Sequence, residues 1–456
     1  MTRRAAVAAV AVALLVVAAA DPALAHGIGG RVDLPVPRWL FVFGAATALV
    51  VSFVLLGALW RAPRFPLAPR TGRDGALQTF LRNPAVGWTL RSVALAWFLL
   101  VTASSLATSA TGATLGPVAV FIWFWVGGAF VQALLGDWWA ALSPFDTLGR
   151  LFGLDVDGEA PPRSYPERLG AWPAAIGLLA FVWLELADPF RGGPGSLGVC
   201  IVLYTALQVA GMARYGRAAW VRDGEAFAVY LGLLARISPL GRDAEGRVVL
   251  RPPFASLVDV PTRPGLLAVV LIALGSTTFD GLTRTTAWRD LTAPYFGAPL
   301  VLVSTAGLLA TILLVGGLYA LAMRAAAATG GGAWRALAAR FAHTLVPIAF
   351  AYVVAHYVSY LLIEGQLGIA RLSDPFGLGW NLLGTASRPV ALDVVAPATV
   401  WYVQVAAIVA GHVAGVVLAH DLALRLFPER GALRTQLALL AVMVAFTAGG
   451  LLILSG

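Results

Sequence analysis

Ten long apolar stretches follow one another along this sequence, and they limit what the chain can fold into. A helix needs about 20 apolar residues to cross a hydrocarbon core of about 30 Å, because each residue adds about 1.5 Å. Such a helix bonds all of its own backbone groups, as a lipid surrounding requires. We therefore predict an all-α fold, a polytopic integral membrane helix bundle of about ten transmembrane helices. The predicted spans are 40–60, 93–110, 117–136, 171–188, 196–213, 264–280, 299–323, 341–363, 398–419 and 437–455.

The first 25 residues have the three parts of a secretory signal. A basic start at Arg3 and Arg4 precedes an apolar run, and Ala23-Leu24-Ala25 forms a small-residue cleavage pattern. The mature chain then begins with His26, which raises copper binding by the terminal amine and ring as an alternative to a coincidence of processing. The predicted organisation is a signal peptide at 1–25, an external N-terminal segment at 26–39 and a single transmembrane helical domain at 40–456.

Positive charge is distributed unevenly between the connections. All 32 basic residues are arginine, and 23 of the 30 that follow residue 25 fall in alternate connections. By the positive-inside rule these connections are cytoplasmic, which places the mature N-terminus outside, in a multi-pass protein of the plasma membrane. The lipid bilayer is the predicted partner, and nucleic acid is not expected because the arginines follow the inner leaflet. The arginine-rich connections are 61–92, 137–170, 214–263, 324–340 and 420–436.

Two of these connections have structure of their own. Residues 137–154 carry spaced apolar residues among polar ones and predict an interfacial helix. Residues 243–251, around Gly246, predict a small cytoplasmic hairpin. No separate soluble domain is expected.

Several kinds of chemistry are excluded by composition. The absence of lysine removes the phosphate-binding lysine of nucleotide loops and Schiff-base chemistry. A single cysteine, Cys200, excludes disulfide frameworks, cysteine-bound iron–sulfur clusters and haem attachment through paired cysteines.

Four polar residues from four spans lie at one predicted depth, about 21 to 24 Å from the cytoplasmic side. They are Glu185, Asp280, His356 and Gln404. Ionisable groups inside hydrocarbon cost several kcal/mol unless paired, so these residues are functional candidates. Two carboxylates and an imidazole, with glutamine or water completing the shell, suit Zn, Fe or Mn, and the same set without metal suits a proton relay or a solute site. The alternative is a set of separate carboxylates that meet water near the span ends.

Span eight carries a polar stripe that ends in the outer connection. Tyr352, His356, Ser359 and Tyr360 follow helical spacing, and Glu364 lies one turn further. The outer segment 364–397 is rich in turn residues and is predicted either to cover the site as a lid or to be a solvated loop. Tyr360, Glu364 and Gln366 are the predicted substrate-binding residues.

A second histidine group lies nearer the cytoplasmic side. His343 and His412 fall at similar depth, as the ligands of a b-type haem do, but the 13 residues between His343 and His356 disfavour two stacked haems. The His420-Asp421 pair is typical of an interface hydrogen bond. Gly411 and Gly415, which flank His412, indicate close helix packing.

Several short motifs together resemble one family of membrane proteins. They are His26-Gly27-Ile28-Gly29-Gly30-Arg31, Phe279-Asp280-Gly281-Leu282, Ala355-His356-Tyr357, Ser373-Asp374-Pro375-Phe376-Gly377, and Gly411-His412 with Ala419-His420-Asp421. The chain resembles actinobacterial multi-pass membrane proteins that are labelled fenitrothion hydrolase. The resemblance implies hydrolysis of a lipophilic organophosphorus triester within the membrane, and it implies no particular catalytic residues.

Three classes of function fit these observations. In the first, a metal held by Glu185, Asp280, His356 and Gln404 activates water, with the first three residues catalytic, and hydrolyses the triester. In the second, the chain is a secondary transporter or channel for a metal ion, a proton or a small solute. In the third, it is a membrane subunit that binds a protein partner and performs no chemistry.

Overall fold

The computed structural model describes residues 37–65, 72, 75–107, 114–154, 163–188 and 195–455. The predicted signal peptide, His26 and most of the external segment 26–39 lie outside these residues. Within them the chain is an all-α polytopic helix bundle, as the apolar stretches predict, with one two-stranded hairpin.

Helices account for most of the described chain, which also contains three 3-10 turns and one π-helical stretch. The 3-10 turns are Ala255–Leu257, Ala342–Leu345 and Glu364–Gln366, and Val118–Gly127 within α4 is π-helical. The helices are α1 (Arg38–Leu59), α2 (Ala76–Arg82), α3 (Pro84–Leu106), α4 (Leu115–Leu135), α5 (Trp138–Leu142), α6 (Pro144–Leu151), α7 (Trp172–Leu186), α8 (Ser196–Tyr215), α9 (Arg217–Asp223), α10 (Ala226–Ala235), α11 (Leu266–Thr283), α12 (Thr286–Thr292), α13 (Ala298–Gly330), α14 (Trp334–Phe341), α15 (Val346–Ile363), α16 (Leu367–Ser373), α17 (Pro397–Leu426) and α18 (Glu429–Ser455). The strands are β1 (Leu240–Arg242) and β2 (Val248–Leu250).

Among the described residues, nine helical segments are long and apolar enough to cross a membrane, and they fall at nine of the ten predicted spans. The fourth predicted span is α7, which has 15 residues. At about 1.5 Å per residue it is roughly 22 Å long, so it is shorter than a hydrocarbon core. Its buried face, with Leu178 and Val182, packs against α10 and α11, which cover it with protein instead of lipid.

One span begins well before its predicted start. The prediction placed the beginning at residue 93, but α3 begins at Pro84. The Asn83 side chain accepts a hydrogen bond from the Ala85 N–H at 2.9 Å, and proline at the first position fits a helix start. These capping residues add turns that apolar character alone does not reveal.

Helix α11 lies at the centre of the bundle. Most of its side chains are buried, and it packs against α7, α13 and α15. Beside it, α15 and α17 pack closely, because a Cβ atom at Gly411 would lie 2.2 Å from the Ala351 side chain and one at Gly415 would lie 3.0 Å from a backbone oxygen of Thr344. The predicted close packing around His412 is confirmed.

Arginine side chains gather with buried carboxylates at one end of the bundle, which we call the arginine-rich end. Asp146 on α6 binds Arg91 of α3 at 2.7 Å, Arg150 at 2.9 Å and Arg217 of α9. Burial pushes the pKa of Asp146 upward, but the hydrogen bonds and charges of Arg150 and Arg217 outweigh it and hold the pKa below its usual value. The carboxylate therefore joins three helices at this end.

A second buried pair at the arginine-rich end ties α1 to α17. Asp421 accepts hydrogen bonds from the backbone N–H of Arg64 at 2.6 Å and from Arg425 at 2.9 Å. The neighbouring His420 lies 2.9 Å from the Trp60 carbonyl oxygen and 3.2 Å from the Gln436 side chain. The predicted hydrogen bonding of His420 and Asp421 is confirmed, and their position at the membrane interface stays a prediction.

The connection 214–263 was predicted to be a cytoplasmic segment with a hairpin, but part of it is buried inside the bundle. It contains the predicted hairpin, in which Arg242 pairs with Val248, but it also contains α10, whose ten residues are almost all buried between α4, α7 and other helices. A ten-residue helix is about 15 Å long and escapes a search for spanning stretches. Residues 137–154 form two short helices, α5 and α6, since Ser143 and Pro144 start a new helix.

We expect the Asp146→Asn variant to unfold at a lower temperature than the unmutated protein by an amount equivalent to about 2 kcal/mol at pH 7, because three arginines lose their charged partner. The native pKa of Asp146 is lowered, so its contribution is complete above the pKa of an unfolded aspartate, about 3.9, and disappears as pH falls through the native pKa. Thermal unfolding in detergent between pH 3 and 7 measures the difference.

The matched control for this experiment is Asp290→Asn, which removes an exposed carboxylate and should leave the unfolding temperature unchanged. A difference between the Asp146→Asn and unmutated proteins that stays constant down to pH 3 would contradict the assigned stabilisation.

Candidate functional site

The predicted site residues Asp280 and His356 lie next to each other at the end of the bundle opposite the arginine-rich end. Asp280 is 4% exposed in the last turn of α11, and its Oδ2 atom lies 3.5 Å from Nε2 of His356 on α15. The same oxygen has no hydrogen-bond partner among the described residues. Arg284, one turn further along, approaches the other carboxylate oxygen at 3.8 Å, and its side chain is 67% exposed. The carboxylate thus lies between the His356 imidazole and the largely exposed Arg284 guanidinium, and the Tyr357 hydroxyl also interacts with it.

A third predicted site residue, Glu185, is linked to this pair by Tyr357, which interacts with both carboxylates. Glu185 is buried on α7 and interacts electrostatically with Tyr357 of α15, which also interacts with Asp280. Tyr230 of the buried helix α10 interacts with Glu185 as well. We call these five residues, Glu185, Tyr230, Asp280, His356 and Tyr357, the polar cluster. It draws side chains from α7, α10, α11 and α15 to one region.

Two members of the polar cluster were missed by sequence reasoning. Tyr357 directly follows His356 but is not part of the predicted stripe, and the direction of its side chain depends on how α15 is rotated. Tyr230 falls in the connection 214–263, which the arginine distribution predicts to be cytoplasmic. The available signal was the apolar run of α10, which is too short to span but too apolar for a solvated connection.

Gln404 lies one helix away from the cluster. It is buried on α17, which packs against α15. Among the described residues no group of three or more histidine, cysteine, aspartate or glutamate side chains is arranged to hold a metal ion. A tetrahedral zinc site takes three or four protein ligands, and here only Asp280 and His356 adjoin. The metal set of Glu185, Asp280, His356 and Gln404 stays a prediction.

The predicted substrate-binding residues lie where α15 ends. The Tyr360 ring is 6.5 Å from that of Tyr357, and Glu364 opens the 3-10 turn that follows. The Gln366 amide donates to the Ala391 carbonyl at 2.9 Å and accepts from the Ala391 N–H at 3.1 Å. Gln366 therefore fastens the outer segment to the helix end.

The outer segment 364–397 is held by its own polar side chains. Asp374 accepts hydrogen bonds from the N–H groups of Leu378 and Gly379 at 2.9 and 2.8 Å, and Ser373 bonds to Asn381. Burial raises the pKa of Asp374, but these backbone donors outweigh it and lower the pKa below the ordinary value. The segment has the turn structure that its composition predicts, and its role as a lid stays a prediction.

A cavity of about 180 Å³ opens beside His356, between α11, α13, α15 and α18. We call it the larger cavity. Its wall is mostly apolar, with hydroxyl groups from Thr277, Thr278 and Tyr352 in addition to the imidazole. The remaining lining residues are Gly281, Leu318, Ala445, Phe446, Gly449 and Gly450.

A smaller cavity of about 30 Å³ continues toward the arginine-rich end and reaches His412. Thr278, Tyr352 and Phe446 line both cavities. The rings of Tyr352 and His412 meet edge to face with their centres 6.0 Å apart. The cavity beside His356 and the cavity beside His412 therefore adjoin each other and share three lining residues.

Comparison of the chain with protein-family models, curated proteins and solved structures finds no match.

We expect Asp280→Asn and His356→Gln to be non-additive in stability, because each removes the partner of the other. The double variant should lose about 1 kcal/mol less than the sum of the single losses. Unfolding by a denaturing detergent in mixed micelles measures the free energies of unfolding. The control cycle combines Asp280→Asn with Thr435→Val, which removes a buried hydroxyl near the arginine-rich end. In this cycle the two single losses of stability should sum to the loss of the double variant within about 0.5 kcal/mol. Simple additivity of the Asp280 and His356 losses would mean that the pair does not interact.

Proposed function

We propose that this multi-pass membrane protein is a transporter that takes up a proton at the Asp280–His356 pair together with a small, mostly apolar solute in the larger cavity. One observation carries the proposal: His356 contacts Asp280 at 3.5 Å and also forms part of the cavity wall. A proton that binds to the pair changes the charge of the wall that the solute touches. The two ligands are thereby coupled through one residue, and each alters the affinity for the other.

The pair is suited to binding a proton because of its surroundings. A neutral imidazole beside a carboxylate carries one negative charge, and one added proton makes the pair electrically neutral overall. An apolar bundle in lipid disfavours the net charge, so protonation relieves a cost of several kcal/mol. Arg284 offsets this effect only in part, since its side chain is 67% exposed and water screens its charge.

The lining of the larger cavity indicates the chemical class of the solute. Leu318, Ala445 and Phe446 offer apolar surface, while the hydroxyls of Thr277 and Thr278 each already donate to a backbone carbonyl of α11. Their oxygen atoms can still accept a hydrogen bond. We infer a neutral, lipophilic solute with one or two polar groups, small enough for a cavity of about 180 Å³.

A second candidate function is hydrolysis, and the same pair favours it. An imidazole oriented by a carboxylate is the arrangement that activates a water molecule as a nucleophile. A lipophilic triester, the substrate that the family resemblance implies, would reach the cavity through lipid. In this alternative His356 acts as the general base and Asp280 orients it.

The two functions can be distinguished by adding a neutral thiophosphate triester to proteoliposomes that contain the protein and an internal pH-sensitive dye. A transporter produces a triester-dependent change of internal pH, and we expect the Asp280→Asn and His356→Gln variants to reduce its rate at least tenfold. A hydrolase releases the phenol leaving group, which is followed by its absorbance.

The control variant is Gly431→Leu on α18, where a new Cβ atom would have no neighbour within 4 Å and which lies outside both cavities. It should behave as the unmutated protein. If Asp280→Asn moves protons with the triester at the unmutated rate, the proposed coupling is wrong. If phenol is released and the internal pH changes only by the amount that hydrolysis itself produces, the second candidate, hydrolysis, is favoured.

A further inference from the structure

His412 is a buried histidine with one ring nitrogen unused. Its side chain is 0% exposed on α17, and its Nδ1 lies 2.8 Å from the carbonyl oxygen of Ile408. Nδ1 must therefore carry the proton, because a carbonyl can only accept, and Nε2 is left as an acceptor. Nε2 has no hydrogen-bond partner among the described residues. Leaving a buried acceptor unpaired costs about 1 to 3 kcal/mol, so a partner inside the adjoining cavity is favoured.

The smaller cavity beside His412 has the size and the polar groups to hold water. Its volume of about 30 Å³ exceeds the roughly 10 to 15 Å³ that one water molecule needs. Thr278, Tyr319 and Tyr352 line it with hydroxyl groups, each of which donates to a backbone carbonyl. Their oxygen atoms remain free to accept, so a water molecule that donates to His412 finds further partners. The cavity meets the requirement of two to four polar contacts.

The two cavities link His412 to the Asp280–His356 pair in short steps. Tyr352 lies one helical turn from His356, a rise of about 6 Å, and its ring centre is 6.0 Å from that of His412. Tyr352 and Thr278 belong to both cavity walls. One or two water molecules would bridge each of these steps.

The row continues beyond His412 toward the arginine-rich end. His343 is buried in the 3-10 turn Ala342–Leu345 that precedes α15, and its Nε2 also has no hydrogen-bond partner among the described residues. The contact between Gly415 and Thr344 places His343 within about one turn of the level of His412. Arg236, at the arginine-rich end, interacts electrostatically with His343. His343 therefore lies beyond His412 toward that end of the bundle, outside the lining of both cavities.

We propose that water in the two cavities connects the Asp280–His356 pair to His412, that His343 continues this row toward the arginine-rich end, and that the row conducts protons through the bundle. In each transfer a protonated water molecule gives its extra proton to Nε2 of His412, while the Nδ1 proton stays hydrogen-bonded to the Ile408 carbonyl. The imidazolium then releases the Nε2 proton to the next water molecule, which returns the ring to its neutral form. The inference rests on the proposed function only in taking the Asp280–His356 pair as the proton-binding site. It does not require a solute.

The test is proton flux into proteoliposomes without any solute, driven by a potassium diffusion potential and read by an internal pH-sensitive dye. We expect the unmutated protein to exceed protein-free vesicles at least tenfold. His412→Gln keeps a donor for the Ile408 carbonyl but cannot pass a proton on, and Gly449→Leu fills the larger cavity at a position where a Cβ atom has no neighbour within 4 Å. Both should reduce the flux to near that of protein-free vesicles.

Two control variants separate blockage from damage to the fold. Thr447→Val removes a fully buried hydroxyl on the same helix as Gly449, and Gly431→Leu adds the same side chain outside the cavities. Both should conduct as the unmutated protein does, and thermal unfolding of every variant confirms that it is folded. If folded His412→Gln and Gly449→Leu proteins conduct at the unmutated rate, or if the unmutated protein conducts no better than empty vesicles, the proton path is overturned.

The outcome for the path is distinguishable from the outcome for transport. Solute-dependent pH change that persists in His412→Gln, with no solute-free flux in any protein, would overturn the path and leave the proposed function standing. Solute-free flux that depends on His412, without any response to the triester, would support the path and count against the transporter.

Discussion

The cost of placing charge inside an apolar helix bundle governs this structure. At the arginine-rich end the carboxylates of Asp146 and Asp421 meet this cost with arginines and backbone donors within 3 Å, and they join helices in doing so. At the other end Asp280 has a looser arrangement, with an imidazole at 3.5 Å and one oxygen without a hydrogen bond among the described residues. Fully satisfied carboxylates stabilise the fold, whereas an incompletely satisfied one keeps the capacity to bind a proton or a ligand.

The overall architecture follows from the sequence because hydropathy depends on composition over a long window. The apolar stretches located the nine long helices, and Gly411 and Gly415 indicated where α15 and α17 approach closely. Helix ends were less accessible, since α3 starts at Asn83 and Pro84 through a local hydrogen bond that no hydropathy window detects. Helix α10 was missed because ten residues are too few to register as a span.

The candidate site was predictable in depth but not in direction. Counting residues along each span put Asp280 and His356 at one level, and the structure places them in contact. Whether Glu185 joins them depends on the rotation of α7 about its axis and on Tyr357, and both are set by packing with helices distant in sequence. The same uncertainty affected Gln404, which shares the level but lies on the neighbouring helix. The depth of a residue can be counted along its own helix, whereas contact between two residues depends on how several helices pack.

The tight contact between α15 and α17 has a mechanical consequence. Because Gly411 brings the two backbones within reach of each other, these helices form a rigid wall, and His356 and His412 are fixed on it. The opposite wall belongs to α18, where the space in front of Gly449 is empty out to 4 Å. We therefore expect α18 and its neighbour α13 to shift when the cavity admits a molecule, while the contact between α15 and α17 holds the two imidazoles in place.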